Sequence, residues 1–268
     1  MMQSTDALVT LARRYCMENH EFWCNEYQEK RTGNDYPLTY TDNDYNLFPR
    51  YHVLNAILLE VETLTERNFA SFSDCQELLV LAGQIADTVF TTGKQNEFAI
   101  QAMKEEREKF VAHICSVTEV DLQDVEPLPY ARHLNKTESA NVRKRLLEHW
   151  KFDGGYWSPS DSRSLNLLFV ATENISTDDG KRIKEIVISL ATNRLYRISE
   201  FDVNYQIENT LFSLEFNGEE MVYCDDNYNW IVHVSHDGIV TFGGGELVDC
   251  IRSLYGSRTE LINAMPSF

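Results

Sequence analysis

Residues 209–242 read NTLFSLEFNGEEMVYCDDNYNWIVHVSHDGIVTF, and the fold is decided by how this stretch is parsed. Short apolar runs alternate with polar side chains and are broken by turn-forming pairs, which predicts strands over 209–216, 220–224, 229–235 and 239–242. Asn217-Gly218 and Asp237-Gly238 have the composition of two-residue hairpin turns that need positive φ. Downstream, Gly243-Gly244-Gly245 ends the meander, and Leu247, Val248, Ile251, Leu254 and Tyr255 repeat as a closing helix. Upstream, 195–199 adds a strand, and the short apolar run 164–171 reads as another, its length being equally open to a buried helix. Asp178-Asp179 opens a helix carrying Ile183, Ile186, Val187 and Leu190. Asn135 to Glu138 forms a capping box ahead of Val142, Leu146, Leu147 and Trp150. Residues 135–268 are therefore expected to form a domain with a mainly antiparallel sheet flanked by helices.

The N-terminal half has the helical period. Leu8, Leu11, Ala12 and Tyr15 begin a helix that is expected to end near Gly33, with a break near Asn19. A Tyr-, Asn- and Asp-rich loop follows, up to Pro49, where the next helix is expected to start, since a proline at the first helical position loses no hydrogen bond. Val53, Leu54, Ile57, Leu58 and Val61 mark its core face. Ser73 to Gln76 reads as a capping box for a third helix, and residues 95–115 as a fourth, with Lys104-Glu-Glu-Arg-Glu-Lys109 as its solvated face. The acidic, proline-bearing stretch 119–134 is expected to be an extended, exposed linker. The chain thus divides into a helical domain at 1–118, a linker at 119–134 and the sheet domain at 135–268, an α+β organisation.

Composition narrows the function classes. The 268 residues carry 24 Lys+Arg against 42 Asp+Glu, a net charge of −18, and such a field repels phosphate backbones and anionic lipid. Neither nucleic acid nor membrane is expected as a ligand. The asymmetry is pronounced: residues 1–130 hold 10 Lys+Arg against 22 Asp+Glu, and residues 131–268 hold 14 against 20. Six scattered cysteines without a CxxC pair, no apolar leader and no membrane-length apolar run point to a reduced, cytoplasmic setting.

No reaction motif is present: there is no GxSxG, HExxH or phosphate-loop spacing. The glycine triplet precedes a helix as an anion nest would, but Glu246 and Asp249 in its first turns oppose an anion. His233 and His236 stand three apart, so on one strand they would face opposite sides of the sheet and could share a metal only through a bulge. Neither a metal nor a cofactor is expected. The stretch 223–230, YCDDNYNW, sets aromatics among acids between two strands. Tyr and Trp offer binding area at low entropic cost, and adjacent carboxylates suit Lys and Arg. Asp225, Asp226, Tyr228 and Trp230 are accordingly the candidate contacts for a basic protein partner.

Residues 229–244, NWIVHVSHDGIVTFGG, resemble the closing hairpin of bacterial proteins of the toxin-immunity type, in which a tryptophan-bearing strand, a turn and a second strand precede the last helix. That resemblance implies an acidic domain that neutralises a basic toxin by covering its active site. Expected function is therefore stoichiometric protein binding rather than catalysis. Two other classes stay open at this point: a hydrolase-like enzyme with its site between the two domains, and a scaffold or oligomer subunit using the helical half.

Overall fold

The computed structural model describes residues 3–31, 39–87, 96–153, 157, 166–201, 203–216 and 218–264. The chain divides into two compact units, residues 1–128 and 129–268. Among the described residues no helix is long and apolar enough to cross a membrane.

Unit 1 is helical: α1 is Ser4–Lys30, α2 Asp42–Glu62, α3 Phe72–Ile85 and α4 Glu97–Ser116. Helix α1 is unbroken at Asn19, whose side-chain amide donates to the Tyr15 carbonyl at 2.8 Å, sharing the acceptor one turn back. Helix α2 begins seven residues before Pro49, not at it. The reason lies at Thr41, where the hydroxyl accepts from Asp44 N–H and the Asp44 carboxylate accepts from Thr41 N–H at 2.7 Å, a complete capping box. Pro49 then costs one backbone bond inside the helix, while Arg50 donates to the Asn46 carbonyl at 2.8 Å. Helix α3 is capped by Ser71, not Ser73: the Ser71 hydroxyl accepts from Asp74 N–H at 3.1 Å.

Leu8, Ala12 and Cys16 of α1 meet Val53, Ile57 and Val61 of α2, Leu79 and Ala82 of α3, and Phe110 and Ile114 of α4 in one buried core. Gly83 is required there, because a Cβ at that position would lie 2.6 Å from the Phe110 ring. Among the described residues of this unit, two ion pairs have both side chains buried: Arg13 with Glu62 at 3.0 Å and Arg50 with Glu106 at 2.6 Å. The run 104–109 is thus only partly the solvated face expected of it. Glu106 is buried, and Arg107 donates to the Gly83 and Ala86 carbonyls, tying α4 to the end of α3.

The stretch 119–134 is more structured than an extended linker. Glu119–Leu122 form a 3-10 turn with Leu122 buried, and Ala131–His133 form an edge strand. Unit 2 is built on a seven-stranded sheet of antiparallel pairs: β1 Ala131–His133, β2 Leu167–Ala171, β3 Arg194–Ser199, β4 Tyr205–Glu208, β5 Met221–Cys224, β6 Ile231–Ser235 and β7 Ile239–Gly243, in the spatial order β1-β4-β3-β5-β6-β7-β2. Its helices are α5 Lys136–Trp150, α6 Thr177–Leu190 and α7 Gly245–Tyr255. The α+β architecture expected from the sequence is the one observed.

One face of the sheet presents Ile198, Val222, Cys224 and Ile231 to Val142, Leu146 and Trp150 of α5. By strand alternation Leu168, Val170, Leu195, Val232, Val234, Val240 and Phe242 point the other way. All seven are buried, as are Ile183 and Val187 of α6 and Leu247, Val248 and Ile251 of α7. Helices α6 and α7 run antiparallel, since Asp179 near the start of α6 meets Arg258 just past the end of α7 in a double hydrogen bond of 2.8 and 2.9 Å. Those bonds hold the Asp179 carboxyl well below its ordinary range.

Two hairpin expectations are corrected. Residues 209–216 are not a strand: 209–211 form a 3-10 turn and 212–216 join no ladder, so the described residues close no hairpin through Gly218, and Asn217 lies outside them. The strand lies earlier, at β4. The turn at Asp237-Gly238 does join β6 to β7, but as a three-residue loop, because Ser235 pairs with Ile239 and only Gly238 of the pair has positive φ, +69°. That is the longer hairpin class, with glycine in the left-handed position. At the end of β7, Gly244 has φ +109°, and a Cβ there would lie 2.5 Å from the Asn229 carbonyl oxygen, so only glycine lets β7 turn into α7.

Candidate functional site

The loop singled out by its composition, 225–230, connects β5 to β6. The Asp225 carboxylate is buried and accepts from Asn229 N–H at 2.7 Å, Asn229 Nδ2 at 3.1 Å and Trp230 N–H at 3.4 Å. Tyr228 takes φ +59°, donates its N–H to the Asp225 carbonyl at 3.1 Å and accepts from Trp150 Nε1 at 3.1 Å. Its ring stacks on Tyr196 at 6.1 Å, and burial pushes its hydroxyl well up. Trp230 is 4% exposed. Of the four candidate contacts only Asp226 lies at the surface, where it accepts from the Thr192 hydroxyl at 3.1 Å. Tyr228 ties the loop to α5, Asp225 holds the loop's own backbone, and Trp230 is buried beside Gly244.

His233 and His236 converge after all, on a carboxylate. His233 is buried on the α5 face, near the rings of Phe152 and Trp157. His236 lies in the turn, off the strand ladder, so the alternation rule does not hold it to the opposite face. His233 Nε2 is 2.7 Å from Glu220 Oε2, and His236 Nδ1 is 2.5 Å from Oε1. The Ser235 hydroxyl donates to Oε1 at 2.9 Å. Burial by itself would raise the Glu220 carboxyl, but the His233 bond and charge, with the Ser235 and His236 bonds, bring it down to about 2. Glu220 was not distinguishable in the sequence, because its partners lie 13 to 16 residues away and meet it only through the β5–β6 register. No group of three or more His, Cys, Asp or Glu side chains among the described residues could hold a metal ion.

A different surface combines acids with accessible apolar area. Between α6 and α7 runs a groove of about 1130 Å³. One wall is Arg182, Glu185, Ile186 and Ser189 of α6; the other is Glu246, Asp249, Cys250, Ser253 and Leu254 of α7, with Gly245 at its end. Each wall follows the i, i+3, i+4, i+7 spacing of a single helix face, lying beside the stripe that each helix buries in the core. Ile186, Cys250 and Leu254 are half-buried, whereas Glu185, Glu246 and Asp249 are exposed. Asp249 stands 3.8 Å from Arg252. Among the described residues neither Glu185 nor Glu246 has an ion-pair partner. The groove therefore offers an apolar floor and three carboxylates, with Arg182 in its lining and Arg252 beside Asp249 as the cations set against them.

No protein-family model, curated protein or solved structure matches this chain.

Proposed function

We propose that the protein acts by stoichiometric association with a basic protein partner, and that the α6–α7 groove is the surface it uses. The observation that carries this reading is the pairing of an accessible apolar floor with the three exposed carboxylates Glu185, Glu246 and Asp249. Interfaces draw affinity from a desolvated apolar centre and orientation and rate from a charged rim. The net charge of −18 adds long-range attraction for a cationic partner. Neutralisation of a basic toxin is the specific form of this activity that the likeness of residues 229–244 to immunity-type hairpins suggests.

The test is capture from native cells with the wild-type chain and with a Glu185→Lys, Glu246→Lys, Asp249→Lys variant as paired baits. A basic protein retained by the first and lost by the second is the expected result. Equal retention by both baits contradicts the reading.

A second reading, acid–base catalysis, draws on Glu220 orienting His236, whose side chain is 58% exposed. It requires a turnover that His236→Ala abolishes while binding persists. Among the described residues the Glu220 carboxylate accepts only from its own hairpin, a pattern that favours an internal tie over a reacting group.

A further inference from the structure

We infer that the occupant of the α6–α7 groove is an amphipathic, basic α-helix contributed by the partner, with about two turns in contact with the walls, an inference that rests on the binding reading above. Backbone chemistry argues for a helix over an extended segment. Both walls are helices whose mid-helix N–H and C=O groups are already paired within their own ladders, so the groove has no free strand edge. An extended peptide laid there would leave its own backbone unpaired against an apolar floor, whereas a helix satisfies its backbone internally.

Dimensions agree. The wall residues span 182–189 and 246–254, about 10 and 12 Å of helix at 1.5 Å per residue, which matches apolar anchors spaced i, i+3, i+4 and i+7 on the incoming helix. The small side chains of Ser189 and Ser253, with Gly245, allow close approach of a third helix axis. Charge fixes the rest of the pattern. Glu185 lies on one wall and Glu246 and Asp249 on the other, so cations are required on both flanks of the apolar stripe. Arg182 lies toward the end of the groove where α6 begins, because the antiparallel pairing sets it beside the Ser253–Leu254 end of α7.

Cys250 is a free, half-buried thiol in the wall and reports occupancy directly. Its rate of modification by a thiol-specific disulfide reagent is measured in a chain where the other two accessible cysteines, Cys24 and Cys115, are replaced by serine. The probe is a synthetic four-turn peptide with leucines at i, i+3, i+4 and i+7 and lysines on both flanks, compared with a scrambled isomer of equal charge. At saturation the amphipathic peptide is expected to slow Cys250 modification at least ten-fold, and the scrambled peptide less than two-fold. Ile186→Glu should remove the protection while the far-ultraviolet circular dichroism stays unchanged. Equal protection by both peptides, no protection by either, or protection indifferent to Ile186→Glu overturns the helix inference. If the peptides protect equally and the triple rim reversal abolishes both effects, the charge-based binding reading stands without the helix. If the native-cell baits also retain the same proteins, that reading falls too.

Discussion

The loop at 225–230 and the groove between α6 and α7 both set acids beside apolar side chains, aromatic in the loop and aliphatic in the groove, but they expose them differently. In the loop, acids and aromatics face inward: Asp225 is spent on Asn229 and Trp230, and Tyr228 on Trp150. In the groove, Glu185 and Glu246 have no ion-pair partner among the described residues and surround half-buried Ile186 and Leu254. A carboxylate beside an aromatic attracts a cationic partner only if the fold has not already used it. Where backbone N–H groups need an acceptor, as at the β5–β6 turn, the chain supplies its own ligand.

The largest effects that would sharpen this contrast are losses of stability in the loop. Trp230→Ala should lower the unfolding free energy by about 3–5 kcal/mol, the usual range for emptying a buried aromatic site, as read from urea denaturation. Asp225→Ala removes an acceptor from two backbone N–H groups and should cost about 2–3 kcal/mol; a loss below about 0.5 kcal/mol would contradict the structural role given to this loop.

Next in size is a pH effect at the hub beside the β6–β7 turn. The Glu220 carboxyl is brought from an unfolded value of about 4.3 to about 2 in the folded chain. A depressed acid contributes stability that is complete above its unfolded value and is lost as pH falls through its folded value. Stability should therefore decline between about pH 5 and pH 2, and Glu220→Gln should flatten that part of the profile. An unchanged slope in the variant would show that the hub does not hold the carboxylate ionised.

The smallest stability changes belong to the surface acids. Asp226→Lys and the three groove reversals should each stay within about 0.5 kcal/mol of the wild type. Partner binding is expected to separate these two sets.

The sequence carried the fold well where local chemistry decides it. The Asn135–Glu138 box caps α5, and the glycine at 238 turns β6 into β7. It misled at 209–216, where apolar alternation looks like a strand. Both edges of β5 are taken by β3 and β6, so that segment has no partner to ladder with, and Phe212 packs on the Tyr223 ring instead, at 4.9 Å. Strands β1 and β4 escaped notice because ARH and YQIE are short and half-polar, and their pairing is long-range. The groove was illegible for a related reason. Glu246 and Asp249 read as acids at a helix start, and they become a rim only when α6 is set antiparallel beside α7.

The central claim, that the groove and not the loop meets the partner, is tested most directly by the association rate constant with the captured partner across a salt series. For the wild type and Asp226→Lys, the rate should fall steeply as salt rises. For the Glu185→Lys, Glu246→Lys, Asp249→Lys chain it should be at least ten-fold slower at low salt and clearly less salt-dependent. A triple variant that retains wild-type rate and salt dependence, with Asp226→Lys losing both, would contradict the account.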